Sequence, residues 1–497
     1  MTLTRMRYAA PLSLLLLAGG ATAAEENPQY GPNPDLPEPQ RGLLPNMSVP
    51  EQAQWDDLKP TVPDGYKITA IATDLKVPRQ TLVLPNGDIL VAEGKGGGNA
   101  PKSRPKDFIA GIIKSKGTTS VQGGNRLTLL RDGDGDGTFE EQTVFAENLN
   151  APYGLALVDD ELYVANQDSL VRFDYQEGQT EASGPPELVT PLPAEINHHW
   201  TKALTASADG EYLYVGIGSN SNITERGMAA EVDRAEIWEV DAETGAHRAY
   251  ATGVRNPTAL TIQPETDQLW AVVNERDELG PNLVPDYLTS IQDGGFYGWP
   301  YSYWGQHVDP RVKPENPERV EATISPDYSL GSHRAPLGVD FSNDAVGGEF
   351  TNGVFIGEHG SWNRSDLAGY KVVFVPFENG QPAGDPVDFV SGFLTDDGKT
   401  RGRPVGVTVA PDGSVIVADD MTNAVWRVTR DDAGSSQTMS DDQSPTSTGD
   451  AASPEGEPTM SGDESATAED GAATSDDNAA TSGDEPAATE GETNTAP

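Results

Sequence analysis

The chain contains no cysteine. Disulfides, a lipid anchor on cysteine and a covalently attached c-type haem are therefore excluded. Histidine is scarce as well: there are six, and two of them, His198 and His199, stand side by side. Cations are in deficit, 33 Lys and Arg against 78 Asp and Glu, for a net charge of −45. A chain so acidic is repelled by nucleic acid and by anionic membrane surfaces, which are themselves polyanions. A carboxylate-rich surface keeps such a chain soluble and suits high salt. No stretch of useful length shows a helical period, which removes helix bundles from consideration.

The two ends do not read as fold. Residues 1–24 carry Arg5 and Arg7, an apolar run at Leu14 to Leu17, and small residues Ala21, Ala23 and Ala24. This is the layout of a secretory signal peptide, with an uncleaved anchor as the alternative. The apolar run is too short for a stable spanning helix, so no membrane span is expected in the mature chain. A periplasmic or secreted location follows. Residues 431–497 hold 17 acidic residues and no Trp, Tyr, Phe, Lys or Arg. Such a segment buries too little apolar surface to offset its ordering entropy and reads as a disordered acidic tail. Residues 25–60 then form an N-terminal extension and 61–430 the folded domain.

Within that domain one unit recurs. VPRQTLVLPNGDILVAEGK starts at Val77, APYGLALVDDELYVANQD at Ala151 and HHWTKALTASADGEYLYVGIGS at His198. VRNPTALTIQPETDQLWAVVNE starts at Val254, RAPLGVDFS at Arg334 with NGVFIGEHGS after it, and GRPVGVTVAPDGSVIVADD at Gly402. Each has a polar or proline-bearing entrance, a short apolar run, a turn, and a second apolar run. Asn-Gly or Asp-Gly between two such runs is a hairpin signal. Six copies with further strands between them predict an all-β, six-bladed β-propeller. The alternative is a β-sandwich followed by a second domain.

In a propeller the blade entrances converge on one face. The residues there are Arg79 and Gln80, Tyr153, His198 and His199, Arg255 and Asn256, His333 and Arg334, and Arg401 and Arg403. Guanidinium groups pair bidentately with carboxylates or phosphates, so a ring of arginines suits a polyanionic ligand. A neutral imidazole beside them is a candidate base. At any single position a turn anchor or a packing histidine is the plainer reading; the recurrence carries the functional one. The stretch DGDGDGTFEE, from Asp132 to Glu141, begins like a calcium loop, but Thr143 stands where a bidentate Glu is required. A weak calcium-binding turn and a plain acidic hairpin turn both remain open there.

From about Asp64 to Arg430 the chain resembles the PQQ-dependent propeller dehydrogenases, and most closely the sorbosone dehydrogenase family. The resemblance rests on HWTKALTASADGEYLYVGIG, GVRNPTALTIQP, DGGFYGWPY, GEHGSWNRS and RGRPVGVTVAPDG. It implies pyrroloquinoline quinone (PQQ), a planar tricarboxylate, on the top face, with calcium polarising the quinone. It implies His199 as the base that takes the proton of a sugar hydroxyl. Arg255 and Asn256, Arg364, and Arg401 and Arg403 are the implied cofactor contacts. Related glucose dehydrogenases hold the calcium by the main-chain carbonyls of a Gly-Pro pair. Here that place reads NERDELGPN, with Arg276 and Asp277 at the pair. Their carbonyls, or the oxygens of Glu275, Asp277 or Asp286, are the implied ligands.

The expected partners are a sugar or sugar-derived aldehyde and a separate electron acceptor, a quinone or redox protein. The rival readings are a metal-dependent lactonase and a non-catalytic binding propeller. The aromatics of YGWPYSYWGQH, Tyr297 to His307, are candidates for stacking on a sugar ring or for blade packing.

Overall fold

The computed structural model describes residues 29–40, 48–97 and 119–431. The signal-peptide segment 1–24 and the acidic tail beyond Asp431 lie outside these residues. The fold is a six-bladed β-propeller. Blade 1 is Pro78–Val83, Ile89–Glu93, Arg126–Arg131 and Glu141–Ala146. Blade 2 is Gly154–Val158, Glu161–Ala165, Ser169–Asp174 and Glu187–Pro191. Blade 3 is Lys202–Ala206, Tyr212–Ile217, Glu236–Asp241 and His247–Thr252. Blade 4 is Pro257–Ile262, Leu269–Val273, Pro285–Ser290 and Tyr328–Ser332. Blade 5 is Pro336–Phe341, Gly353–Glu358, Lys371–Glu378 and Val387–Val390.

Blade 6 closes the ring. Its first three strands are Pro404–Val409, Val415–Asp419 and Ala424–Arg430. Its outer strand is Tyr66–Ala72, from the other end of the domain, paired antiparallel with Tyr66 opposite Arg430. The six first strands neighbour one another in an unbroken circle around the axis.

The second strands explain why the repeats read as near-continuous apolar runs. All five residues of Ile89–Glu93, Leu269–Val273 and Val415–Asp419 are buried, because both faces of a mid-blade strand meet a neighbouring blade. The outer strand Glu141–Ala146 alternates instead over its first four residues. The hairpin turns behave as their dipeptides predict: Gly87 and Gly210 take φ of 88° and 75°, a region open to glycine without strain.

The core is six interfaces rather than one centre. Leu90 and Phe145 of blade 1 meet Leu162 and Phe173 of blade 2, and Tyr163 meets Val215 and Trp238 of blade 3. Ile237 packs with Leu269 and Tyr287, and Trp270 with Phe341 and Val373. Phe355 and Phe374 pack with Val417 and Trp426, and Ile416 and Val425 with Ile89 and Val91. Truncating a fully buried member such as Trp270 to Ala removes about 3–5 kcal/mol.

The N-terminal segment is bound to this frame. Tyr30–Gly31 adds a short antiparallel strand to blade 4, opposite Leu330 and Ser329. Gln52 bridges to Thr400 and Thr61 to Ser391. Among the described residues no helix is long and apolar enough to cross a membrane.

Candidate functional site

In an antiparallel four-strand blade, the entrance to the first strand and the exit from the second lie at the same end. The residues that gather at the axis come from these two places. His199 precedes the first strand of blade 3, and Ser219 follows its second strand. Asn256 precedes the first strand of blade 4, and Glu275 and Arg276 follow its second. His359 and Asp420 follow the second strands of blades 5 and 6. Of the exit positions, Ser219, His359 and Asp420 were missed in the sequence. Their signal is the polar residue directly after each second apolar run, as in GIGS, GEHG and ADD.

His199 is half-buried, and its Nδ1 lies 2.8 Å from the Ser219 carbonyl oxygen. A carbonyl only accepts, so Nδ1 carries the proton and Nε2 carries the lone pair. Among the described residues Nε2 has no hydrogen-bond partner. Burial first, then the Arg255 guanidinium and His198, hold the imidazole well below its ordinary pKa. His199 is therefore neutral at neutral pH, with its basic nitrogen free. His198 is exposed and meets His199 edge to face, with ring centroids 4.7 Å apart.

The backbone around His199 is stapled by a residue that sequence reasoning did not single out. Arg234 is buried and donates to Gly218 O (2.7 Å), His199 O (2.9 Å), Pro193 O (2.7 Å) and Asn197 Oδ1 (3.3 Å). Gly218 is needed for close approach: a Cβ there would lie 2.2 Å from Asn256 Oδ1 and 2.6 Å from His199 Cβ. His199 and Asn256, from different blades, thus flank one glycine. Asn256 Oδ1 and Asn274 Oδ1 are buried without a partner, a condition that costs free energy unless a ligand or water meets them.

Across the axis, Tyr153 plugs the channel. Its hydroxyl lies 3.0 Å from Thr258 O of blade 4 and 3.2 Å from Leu337 O of blade 5. Gln80 Nε2 also donates to Leu337 O, at 2.7 Å. Arg79 lies 5.4 Å from the Tyr153 ring centre and 5.3 Å from that of Trp200, a half-buried indole that also packs on Gly96. Arg79 Nη1 pairs with Asp420 Oδ2, and His359 Nε2 donates to Asp420 Oδ1 at 2.9 Å. Burial, then Arg403, holds His359 down to about 4. Arg403 donates to His359 O and Gly360 O, each at 2.9 Å.

The remaining predicted residues divide. Arg255 is buried and donates to Asn222 O (3.2 Å), Asn274 O (2.9 Å), Glu275 O (2.8 Å) and Asn222 Oδ1 (3.0 Å). Of its five N–H groups, one is left over. Arg364 forks onto Asp366 (3.4 and 2.6 Å) and also reaches Ser332 O and Asn282 Oδ1. Arg401 is not brought to the axis group. It lies 5.7 Å from the Trp55 ring centre, and that indole packs against Phe393 and Trp426. The expected place for Arg401 in a converging ring is corrected accordingly.

The predicted calcium ligands have other occupations. Arg276 is fully buried; it pairs with Glu275 (2.9 Å) and Asp309 (3.3 Å) and donates to Pro300 O and Ser302 O. Asp286 accepts the N–H of Glu275 on one oxygen and of Ala335 on the other, both at 2.8 Å. Burial pushes its carboxyl up to about 7, so much of it is uncharged near neutrality. The Asp277 carbonyl accepts Arg311 Nη1 at 2.8 Å and Asn222 Nδ2 at 3.3 Å. Asp277 Oδ1 accepts from Asn363 Nδ2. These groups brace the loop, and the set does not fit a calcium held at Arg276, Asp277 and Asp286.

Among the described residues, the one group of carboxylates spaced for an ion is Asp132, Asp134, Asp136 and Glu140, within 4.8 Å of one another. It lies in the turn between the third and fourth strands of blade 1, at the end opposite His199. The aromatics of 297–307 are mostly packing. Tyr297 donates to Ser290 O, Trp299 donates to Asn222 O, and Tyr297, Trp299 and Tyr303 are buried.

A sequence model of the TrAA12-like family matches residues 118–285 and 307–431. The chain belongs to the TrAA12-like family. This TrAA12-like propeller is similar to an uncharacterized protein of Borreliella burgdorferi, 27% identical over 333 residues, 64% of this chain and 86% of that protein. It is 23% identical over 325 residues to a pyrroloquinoline quinone-dependent pyranose dehydrogenase of Coprinopsis cinerea. That match covers 55% of this chain and 44% of the fungal enzyme, so the chain spans under half its length. Two solved structures share the fold. The calcium structure of a Trichoderma reesei carbohydrate-active enzyme of family AA12 gives a TM-score of 0.61 at 19% identity, over 78% of this chain and 99% of that one. The holo pyranose dehydrogenase PQQ domain of Coprinopsis cinerea gives 0.61 at 19% identity, over 77% and 100%.

Proposed function

We propose that this chain is a PQQ-dependent dehydrogenase that oxidises a sugar or sugar-derived aldehyde, with His199 as general base. The observation that carries the reading is the His199 tautomer: Nδ1–H tied to the Ser219 carbonyl, Nε2 open, and the ring held neutral. The names of its fungal relatives support the cofactor and the substrate class. A sorbosone-type substrate is the finer version of the same proposal.

The residues present fit such a cofactor in kind. Arg255 keeps one N–H group unused beside His199, and half-buried Trp200 and the Arg79 side chain offer a flat apolar face next to a cation. Arg255, Asn256, Arg364 and Arg403 would hold a tricarboxylate, while Arg401 stays on Trp55. When bound, PQQ supplies a two-electron acceptor. His199 Nε2 takes the proton of the substrate hydroxyl as the carbon-bound hydrogen leaves with its electron pair. For an aldehyde the same nitrogen serves its hydrated form, which presents an equivalent hydroxyl. The Ser219 carbonyl then stabilises the imidazolium through Nδ1–H. The electrons then pass on to a separate quinone or redox protein. Secretion to the periplasm or beyond is part of the same proposal. Calcium at Arg276, Asp277 and Asp286 is left out, for the reason given above.

The test is a titration of the purified chain with PQQ, following dye reduction by a panel of aldoses and sorbosone. Saturable, sugar-dependent reduction is expected. Absence of any cofactor binding would turn the proposal over in favour of a binding propeller.

A further inference from the structure

We infer that the Arg311 guanidinium occupies the role that related dehydrogenases give to calcium, so that the quinone cofactor binds here without a metal at the 274–282 loop. The inference rests on the PQQ reading above. It starts from one oxygen. The Asp277 carbonyl has two lone pairs, and both are engaged: Arg311 Nη1 donates at 2.8 Å and Asn222 Nδ2 at 3.3 Å. A hard divalent ion needs six to eight oxygens and would have to displace a like-charged group to reach this one.

Arg311 is not a loose surface cation. Its Nε and Nη2 form a fork on Asp309, at 2.9 and 2.6 Å, and its backbone N–H donates to the same carboxylate at 3.0 Å. Asp309 is fully buried and also receives Arg276. Asn222 is fixed in turn: its side-chain oxygen accepts Asp277 N–H and Arg255 Nη2, and its carbonyl accepts Trp299 Nε1. The chain of direct bonds runs on from Arg255, whose carbonyl accepts Ser219 N–H, to Ser219, which holds His199. Arg311 therefore belongs to the same framework as the candidate base.

The guanidinium has what the role needs. Three of its five N–H groups are engaged, two remain, and the side chain is 15% exposed. A fixed cation with free donors polarises an oxygen and pairs with a carboxylate as a metal does. Unlike a metal, a chelator cannot remove it.

The experiment measures PQQ binding to the full chain by quenching of tryptophan fluorescence, in EDTA and in calcium. Calcium binding alone is a poor readout, because the carboxylates of the 132–140 turn can take the ion. For the wild type we expect the same Kd within twofold in both conditions. Arg311→Ala is expected to weaken binding at least tenfold in EDTA, with recovery in calcium as the Asp277 carbonyl becomes free. Arg311→Lys keeps the charge and is expected to stay within fivefold in EDTA; thermal melting of both variants reports folding, and Arg311→Lys carries the test if the alanine variant unfolds. Wild-type binding that vanishes in EDTA and returns with calcium overturns the inference and leaves the PQQ reading standing. Unchanged EDTA binding in folded Arg311→Ala also overturns it. Failure to bind PQQ in either condition overturns the reading itself, and the inference with it.

Discussion

Replacing His199 by Gln tests the proposed chemistry most directly. The glutamine amide can still donate to the Ser219 carbonyl, which now receives Nδ1–H at 2.8 Å. Its other end is an amide oxygen with negligible affinity for a proton near neutral pH. The change therefore removes the base while keeping the contact that orients it. A positioned general base contributes roughly 10²–10⁴ in rate, or about 3–5 kcal/mol of barrier. The assay is dye reduction by the PQQ-loaded protein under saturating sugar, with cofactor binding measured separately. We expect kcat to fall within that range and cofactor Kd to stay within about threefold of the wild type, by the same reasoning. The pH profile is the second readout. Burial and then Arg255 hold the imidazole well below 6.5, so wild-type activity persists as pH falls through 6.5 and drops only further down. The variant should lose that acid limb. Wild-type turnover in His199→Gln, or an unchanged acid limb, would refute the assignment.

Other outcomes follow from the same contacts. Tyr153→Phe removes a buried hydroxyl placed against Thr258 O and Leu337 O; we expect a loss of about 1–3 kcal/mol, seen as a lower melting temperature with the substrate preference unchanged. Arg234→Met strips donors from Gly218 O, His199 O, Pro193 O and Asn197 Oδ1; several kcal/mol should go, at about 1–3 per stranded acceptor, with kcat falling alongside the melting temperature. His359 is held down to about 4 by burial and Arg403, so its folded form is neutral where the unfolded one charges. Its contribution is full above pH 6.5 and is lost as pH falls toward 4, about 3 kcal/mol in all. In urea unfolding at pH 7 and pH 4, the wild type should lose that much more stability than His359→Gln.

Much of the architecture was legible because a blade is a local object. The hairpin from Val77 to Glu93 announces itself through Asn86-Gly87 and two apolar runs, and three further copies do the same through Asp209-Gly210, Asn352-Gly353 and Asp412-Gly413. Closure was not legible. Tyr66–Ala72 pairs with Ala424–Arg430 across the whole domain, and neither segment carries a mark of the other. Tyr30–Gly31 is shorter still; two residues have no period to read, and only the free edge of blade 4 explains their place. At the site, entrance residues were found because the repeats begin with them. His359, Asp420 and Ser219 were passed over because they stand where each repeat seems to end. Arg234 sits between repeats and was invisible for that reason.

The arginines teach the sharper lesson. In a chain with 33 cations against 78 anions, their clustering at blade entrances reads as preparation for an anionic ligand. Some of their donors are already in use, while Arg79, Arg334 and Arg401 each keep a buried Nε without a partner. Arg234 and Arg255 each make four hydrogen bonds, largely to main-chain carbonyls. The reason lies in the fold: loops that turn inward at the axis leave the sheets with carbonyls that no strand pairs, and such groups are costly when buried. A guanidinium with five N–H groups caps several at once and, being planar, fixes their relative positions. Arg234 and Arg255 are thus staples before they are receptors. What the staples hold still is the part with free atoms: His199 Nε2, the orphaned amide oxygens of Asn256 and Asn274, and the two remaining donors of Arg311. Chemistry is expected where bonding is left incomplete beside a fixed base, and among the described residues the surface between blades 3 and 4 meets that condition with His199, Asn256 and Asn274.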